Sequence, residues 1–356
     1  MSLSKLTSFR APHLLVVGLA TWLTIGCDDD EAPPYEAPRP SDAGDAARPD
    51  ATDATQGDAG DAGRVDGGAD AGVDGSDGGG SDVALAASRP NILLILADDL
   101  GYSDLGAFGG EIKTPNLDAL ARAGRLLTDH HTAATCSPTR SMLFSGTDHH
   151  LAGLGTMAEV IRPEQVGKPG YEGYLNDRSV SIAELLRDAG YHTYLSGKWH
   201  LGVGEERSPK VRGFEASFSL SGGAGSHFAP VPGKSVPADN VEYREEGKPA
   251  TLPADYFSTD FFTDKLIAYI ERNRADGKPF FAYAAYTAPH WPLQAPPAYL
   301  DRYAGRYDAG YDAIRDQRLA RQKQLGIIPA DFQPNPGRTS SPDNPTWAEL
   351  TPDQRK

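Results

Sequence analysis

The chain has 356 residues, a net charge of −15, 39 glycines, 28 prolines and only two cysteines. Its acidity is local: residues 28–88 hold 16 Asp or Glu against three Arg, and the sequence from Arg89 onward is close to balanced. There is no clustered basic face of the kind that nucleic-acid binding needs, and with one cysteine at position 27 and the other at 136 there is no disulfide framework.

The N-terminus, "MSLSKLTSFRAPHLLVVGLATWLTIGC", joins a basic stretch (Lys5, Arg10) to an apolar run from His13 to Ile25. That run is short for a membrane span and suits an export signal. "LTIGC" resembles a bacterial lipobox, so residues 1–27 are expected to be a lipoprotein-type signal peptide, with a lipid on Cys27 anchoring the chain to a membrane. The expected location is the bacterial cell envelope, periplasmic or at the outer membrane or cell surface. Simple signal cleavage that leaves Cys27 free is the alternative.

Residues 28–88 repeat Asp, Ala and Gly, a composition too poor in apolar surface to offset chain entropy, and predict a disordered acidic tether. Their Asp spacing matches neither an EF-hand loop nor a calcium-binding nonapeptide repeat.

Folded sequence is expected over 89–356. "NILLILA" (91–97) is a continuous apolar run of strand length, as in a parallel strand covered on both faces. "TPNLDALARAG" (114–124) has helical spacing with an early proline and a glycine stop. "CSPTR" opens another helix with Pro138 in its first turn, where a missing N–H costs nothing. "SVSIAELLRDAG" (179–190) predicts a helix, "YHTYLSG" a strand, 258–277 an amphipathic helix, and "PFFAYAAYTAPH" a buried strand ending at His290. After it come a polar helical stretch and "PTWAELTPDQRK". Strands alternating with helices predict an α/β fold around a mainly parallel, mixed sheet. Ligands of such sheets sit beyond the carboxyl ends of the strands, where Asp98, Asp99, Lys198, His200 and His290 fall.

Adjacent carboxylates at a buried strand end are costly unless a cation neutralises them, and a hard divalent ion with oxygen ligands does so. A solvated turn is the bland alternative. Cys136, at a helix N-terminus that favours negative charge, is either a buried filler, a thiolate nucleophile or the precursor of another group; Arg140 lies one turn on. The pairs His130–His131 and His149–His150 raise zinc, but the carboxylate pair argues for an oxygen-loving ion, and the histidines are expected to shape the pocket. Asp104 and Asp118 read as turn and helix-surface residues, and Ser226 as a residue near the site with no assigned role.

"CSPTR" resembles the C-x-P-x-R signature of the formylglycine-dependent sulfatases, and "GYHTYLSGKWH" (190–200) their second signature. "NILLILADDLGYSDLG" is similar to that family's first strand and metal loop, and "GTDHHLAGLGTMAE" (146–159) to its bacterial arylsulfatase branch. The resemblance runs from about Arg89 onward. It implies an alkaline-phosphatase-like fold and hydrolysis of sulfate esters. It also implies that a formylglycine-generating enzyme converts Cys136 to an aldehyde whose hydrate attacks sulfur and then expels sulfate. Asp98, Asp99 and the modified Cys136 would hold calcium, with magnesium possible. Arg140 would hold the hydrated aldehyde, Lys198 a sulfate oxygen, His200 the hydrate, and His290 the leaving oxygen.

The family's remaining metal ligands and second sulfate-binding lysine have no match here; "PDNP" (342–345) lacks a preceding buried strand. The chain therefore reads as the N-terminal part of a sulfatase catalytic domain, and the fragment alone is expected to turn over little. The rival activity is phosphonate or phosphate ester hydrolysis in the same superfamily. A rival from another class is an inactive lipoprotein that binds sulfated polymers.

Overall fold

The computed structural model describes residues 89–230, 241–335 and 345–355. The expected signal peptide and acidic tether lie outside these described residues. The described part starts with strand β1 (Ile92–Asp98), followed by helices α1 (Pro115–Ala123), α2 (Cys136–Ser145) and α3 (Ile182–Asp188). Strands β2 (His192–Lys198), β3 (Ala216–Leu220), β4 (Tyr243–Glu245) and β5 (Lys248–Pro249) lead to helix α4 (Ser258–Asn273). Strand β6 (Phe280–Pro289) and helices α5 (Pro297–Leu300) and α6 (Tyr311–Gln324) complete it. Among the described residues no helix is long and apolar enough to cross a membrane.

The sheet order is β1-β6-β2-β3-β4-β5; β1, β6, β2 and β3 run parallel, and β4 and β5 are antiparallel additions at one edge. Strand β6, late in the sequence, is thus central. It places Pro289 opposite Asp98 and Ala285 opposite both Leu96 and Gly197. The carboxyl ends of β1, β6 and β2, which carry Asp98, His290 and Lys198, therefore stand side by side.

Period-two alternation along β6 explains the two cores. Phe281, Tyr283 and Ala285 join Leu94, Leu96, Leu195, Trp199, Phe214 and α2's Phe144 on one face. Ala282 and Ala284 join Leu93, Tyr194, Phe218 and α4's Phe262, Leu266 and Tyr269 on the other. Both faces are covered, which is why these strands read as apolar runs.

Helix α3 begins as its sequence predicts: Ser181 Oγ accepts from the Glu184 N–H while the Glu184 carboxylate accepts from the Ser181 N–H. The predicted helix over 258–277 is α-helical only to Asn273; a 3-10 turn over Arg274–Asp276 then ends at Gly277, whose φ of 75° is open to a residue without a side chain.

Candidate active site

Asp98 is the last residue of β1, and its carboxylate is buried. Its Oδ2 accepts from Lys198 Nζ at 2.7 Å and its Oδ1 from the Arg140 guanidinium at 3.1 Å. Burial pushes the Asp98 carboxyl up, but Lys198, Arg140 and His290 outweigh it and bring it to about 2. Arg140, on the inner face of α2, also donates to the Lys198 carbonyl at 2.9 Å and to the Tyr283 hydroxyl at 3.0 Å. One guanidinium thus ties α2 to β1, β2 and β6, using the planar fork that lysine lacks.

Asp99 and His200, the residues just beyond Asp98 and close beyond Lys198, both have left-handed backbones, with φ of 57° and 54°. Strain of this kind in non-glycine residues is held only where surrounding structure enforces it. It turns each side chain away from the regular strand path. Asp99 Oδ2 lies 3.6 Å from His290 Nε2. His290 is fixed through its other nitrogen, since Nδ1–H donates to the Trp291 carbonyl at 2.6 Å.

Cys136 begins α2, so its thiol sits at a helix N-terminus. A ligand atom each from Cys136, Asp98 and His290 lie within 4.8 Å of one another. Burial pushes the Cys136 thiol up, but the adjoining His200 and His290 rings and the Lys198 charge outweigh it and lower it to about 6. Burial pulls His290 down, whereas Cys136, Asp98 and the Trp291 carbonyl raise it, with a net rise.

Six of the sequence-predicted residues, Asp98, Cys136, Arg140, Lys198, His200 and His290, therefore converge, and Asp99 joins them through His290. Two local contacts add to the expectation. Arg140 points at Asp98, and Lys198 is paired with the same carboxylate.

The paired histidines stand apart from this cluster's contacts. His131 pairs with Asp129, and His149 bonds the Leu154 carbonyl; Asp148, His149 and His150 form a separate, mostly exposed group whose ligand atoms also lie within 4.8 Å. Asp104 accepts from the Gly101 N–H and pairs with Arg318, and Asp118 accepts from the Ala107 N–H and the Thr114 hydroxyl, so both organise the loop after β1.

Two contributors are not among the candidate residues, although Glu159 closes the segment 146–159 that resembles the arylsulfatase branch. Glu159 accepts from His200 Nε2 at 3.1 and 3.2 Å. His227, neighbour of the singled-out Ser226, donates from Nε2 to the His290 carbonyl at 3.0 Å, while its Nδ1 accepts from Ser258 at 2.8 Å. A lone Glu in a loop and a lone His after glycines match no spacing rule.

Two carboxylates at a strand end, a helix-initiating cysteine beside two imidazoles and an Arg–Lys pair thus gather at the carboxyl ends of the strands of an alkaline-phosphatase-like α/β fold. The family model described as Sulfatase matches residues 90–332, and the chain belongs to the sulfatase family. It is 41% identical over 278 residues to an arylsulfatase of Klebsiella aerogenes, covering 78% of this chain and 58% of that protein. It is 48% identical over 279 residues to an uncharacterized sulfatase of Schizosaccharomyces pombe, covering 76% and 50%. Among solved structures, Ps i-CgsB in complex with k-i-k-neocarrahexaose is similar at a TM-score of 0.54 and 28% identity, covering 67% of this chain and 55% of that one. The chain thus spans about half the length of the curated relatives it matches.

Proposed function

We propose that the protein hydrolyses sulfate esters through residue 136 after a formylglycine-generating enzyme has oxidised Cys136. The observation that carries this reading is the position of Cys136: at a helix N-terminus, between His200 and His290, within reach of Asp98 and its two cations. A simple buried filler needs none of these neighbours.

The residues also fit a hard divalent ion. With an aldehyde hydrate at 136, the donors on this side of the sheet are oxygens from Asp98, Asp99 and residue 136, a set that suits calcium or magnesium better than zinc. Such an ion would polarise the ester and favour the ionised nucleophile. The hydrate supplies two hydroxyls on one carbon, one to attack sulfur and one to drive sulfate out.

Around that chemistry each side chain has a task. Lys198 places a fixed positive charge for a sulfate oxygen, and Arg140 one for the hydrated aldehyde. His290, with Nδ1–H committed to a carbonyl, presents Nε2 to the leaving oxygen, and its raised pKa suits a proton donor. His200 adjoins residue 136 as well.

We further place the chain in the bacterial envelope through a lipid on Cys27, a reading supported by the lipobox-like segment alone.

The test is intact mass and turnover of the full-length protein co-produced with a formylglycine-generating enzyme. Mass loss at residue 136 and calcium-dependent sulfate release from an aryl sulfate, exceeding release from an aryl phosphonate, are expected. An unmodified thiol throughout, or faster phosphonate cleavage, overturns the reading.

A further inference from the structure

His200 is held more tightly than its role at residue 136 alone explains. It is buried, its backbone is left-handed, and Gly223 backs its ring so closely that a Cβ there would come within 2.9 Å of Cε1. Nε2 faces both oxygens of Glu159, whereas the buried Nδ1 has no hydrogen-bond partner. A buried ring nitrogen without a partner is costly unless something that the site receives completes it.

We propose that Glu159 is a positioning residue for His200: its carboxylate accepts the Nε2–H bond and so leaves Nδ1 as the proton acceptor that serves residue 136. This rests on the hydrolase reading above and adds the residue that sets the direction of proton transfer. A carboxylate can only accept, so the nitrogen facing it must carry the hydrogen. The His200 hydrogen bond, working against burial, keeps the Glu159 carboxyl at about 2, so it remains an acceptor throughout the neutral range.

The consequence falls on the second half of the cycle. When the remaining hydroxyl on residue 136 gives its proton to Nδ1, its oxygen re-forms the carbonyl. The carbon–oxygen bond to sulfate then breaks, with the electron pair leaving on sulfate. The imidazole now carries both protons and a positive charge, and the Glu159 carboxylate lies directly across from that charge. The same carboxylate thus selects the tautomer before the step and stabilises the cation after it. It does so without touching substrate.

The experiment compares full-length wild type, Glu159→Ala and Glu159→Gln, co-produced with a formylglycine-generating enzyme, on 4-nitrophenyl sulfate, following nitrophenol and sulfate separately. Glu159→Ala should lower kcat about 10- to 100-fold, somewhat less than the about 10²–10⁴-fold that a general base itself supplies. KM should change little. Released nitrophenol should run ahead of sulfate by up to one equivalent, a lead that a merely structural defect does not create. Glu159→Gln keeps an acceptor oxygen and should recover part of the rate.

Imidazole ¹⁵N spectra of the same proteins should show His200 as the Nε2–H tautomer in wild type and a mixture in Glu159→Ala. Unchanged turnover in Glu159→Ala, or a loss with no nitrophenol lead and an unchanged tautomer, overturns the role. If correctly modified, full-length wild type releases no sulfate, the hydrolase reading falls. The ¹⁵N spectra then still decide the positioning, since mixed tautomers in wild type would refute it.

Discussion

Lys198 Nζ lies 2.7 Å from Asp98 Oδ2, with side chains 0% and 6% exposed, at the ends of two strands separated in the sheet by β6. The pair has Arg140 as a third member, on the other carboxylate oxygen. Two cations around one buried anion leave a surplus positive charge, which is an unfavourable arrangement for stability alone. That single surplus charge suits the sulfate-ester reading proposed above, since such an ester carries one negative charge.

The carboxyl of Asp98 therefore links stability to acid. Burial raises it, the Lys198, Arg140 and His290 charges lower it further, and it falls from an ordinary 3.8 to about 2. A depressed carboxyl contributes stability above its unfolded value and loses it as pH falls through its folded value. The contribution of about 2 kcal/mol should vanish between about pH 4 and pH 2. Urea unfolding of Asp98→Asn across this window should give a shallower acid limb than wild type. Parallel limbs would show that Asp98 is not held as drawn.

Gly197 marks the closest approach of β2 to β6. Its φ is 123°, and a Cβ would stand 1.8 Å from the Ala285 carbonyl oxygen. Both neighbours are backbone, so no side chain can move aside. Gly197→Ala should cost more than the about 1–3 kcal/mol of ordinary core overpacking and leave little soluble folded protein. Solubility and a cooperative thermal transition measure this; a folded variant within a few degrees of wild type would contradict the geometry.

Much of this arrangement is legible before folding, for identifiable reasons. The strands β1 and β6 are buried on both faces and so appear as apolar runs, while α3 announces itself through Ser181 and Glu184. Strand β3, "ASFSL", is fully buried too, yet its alternating serines hide it. The insertion of β6 between β1 and β2 is not written in any local pattern, because parallel order depends on crossovers that span many residues. Glu159 closes the quoted segment 146–159, but its role is not readable there, because it lies in a contact with His200, 41 residues away.

The unconverted thiol offers a direct probe of the site. Protein made without a formylglycine-generating enzyme retains Cys136, whose thiol burial would raise but His200, His290 and Lys198 lower to about 6. Alkylation by iodoacetamide should therefore reach half its limiting rate near pH 6. His200→Ala or His290→Ala should move that midpoint upward, while Met142→Ala, on an exposed position of the same helix, should not. A midpoint in the usual thiol range in wild type would place the two rings away from the sulfur.

At the opposite end of β2, His192 is clamped between two carboxylates, Nδ1 to Glu215 and Nε2 to Asp276, both at 2.6 Å. Burial lowers its pKa, but these two hydrogen bonds outweigh it and the net shift is upward. The sign is opposite to that of Asp98. A raised imidazole contributes its full stability below its unfolded value, about 6.5, and loses it as pH climbs through the folded value. The clamp ties β2 to the residue leading into β3 and to the turn after α4, so its release should loosen that end of the sheet rather than the site. Wild type should lose stability from about pH 7 upward relative to His192→Gln, which keeps the shape without the charge. Chemical unfolding of both proteins across that range reads the difference directly, and a constant offset at every pH would mean that His192 is neutral in the fold.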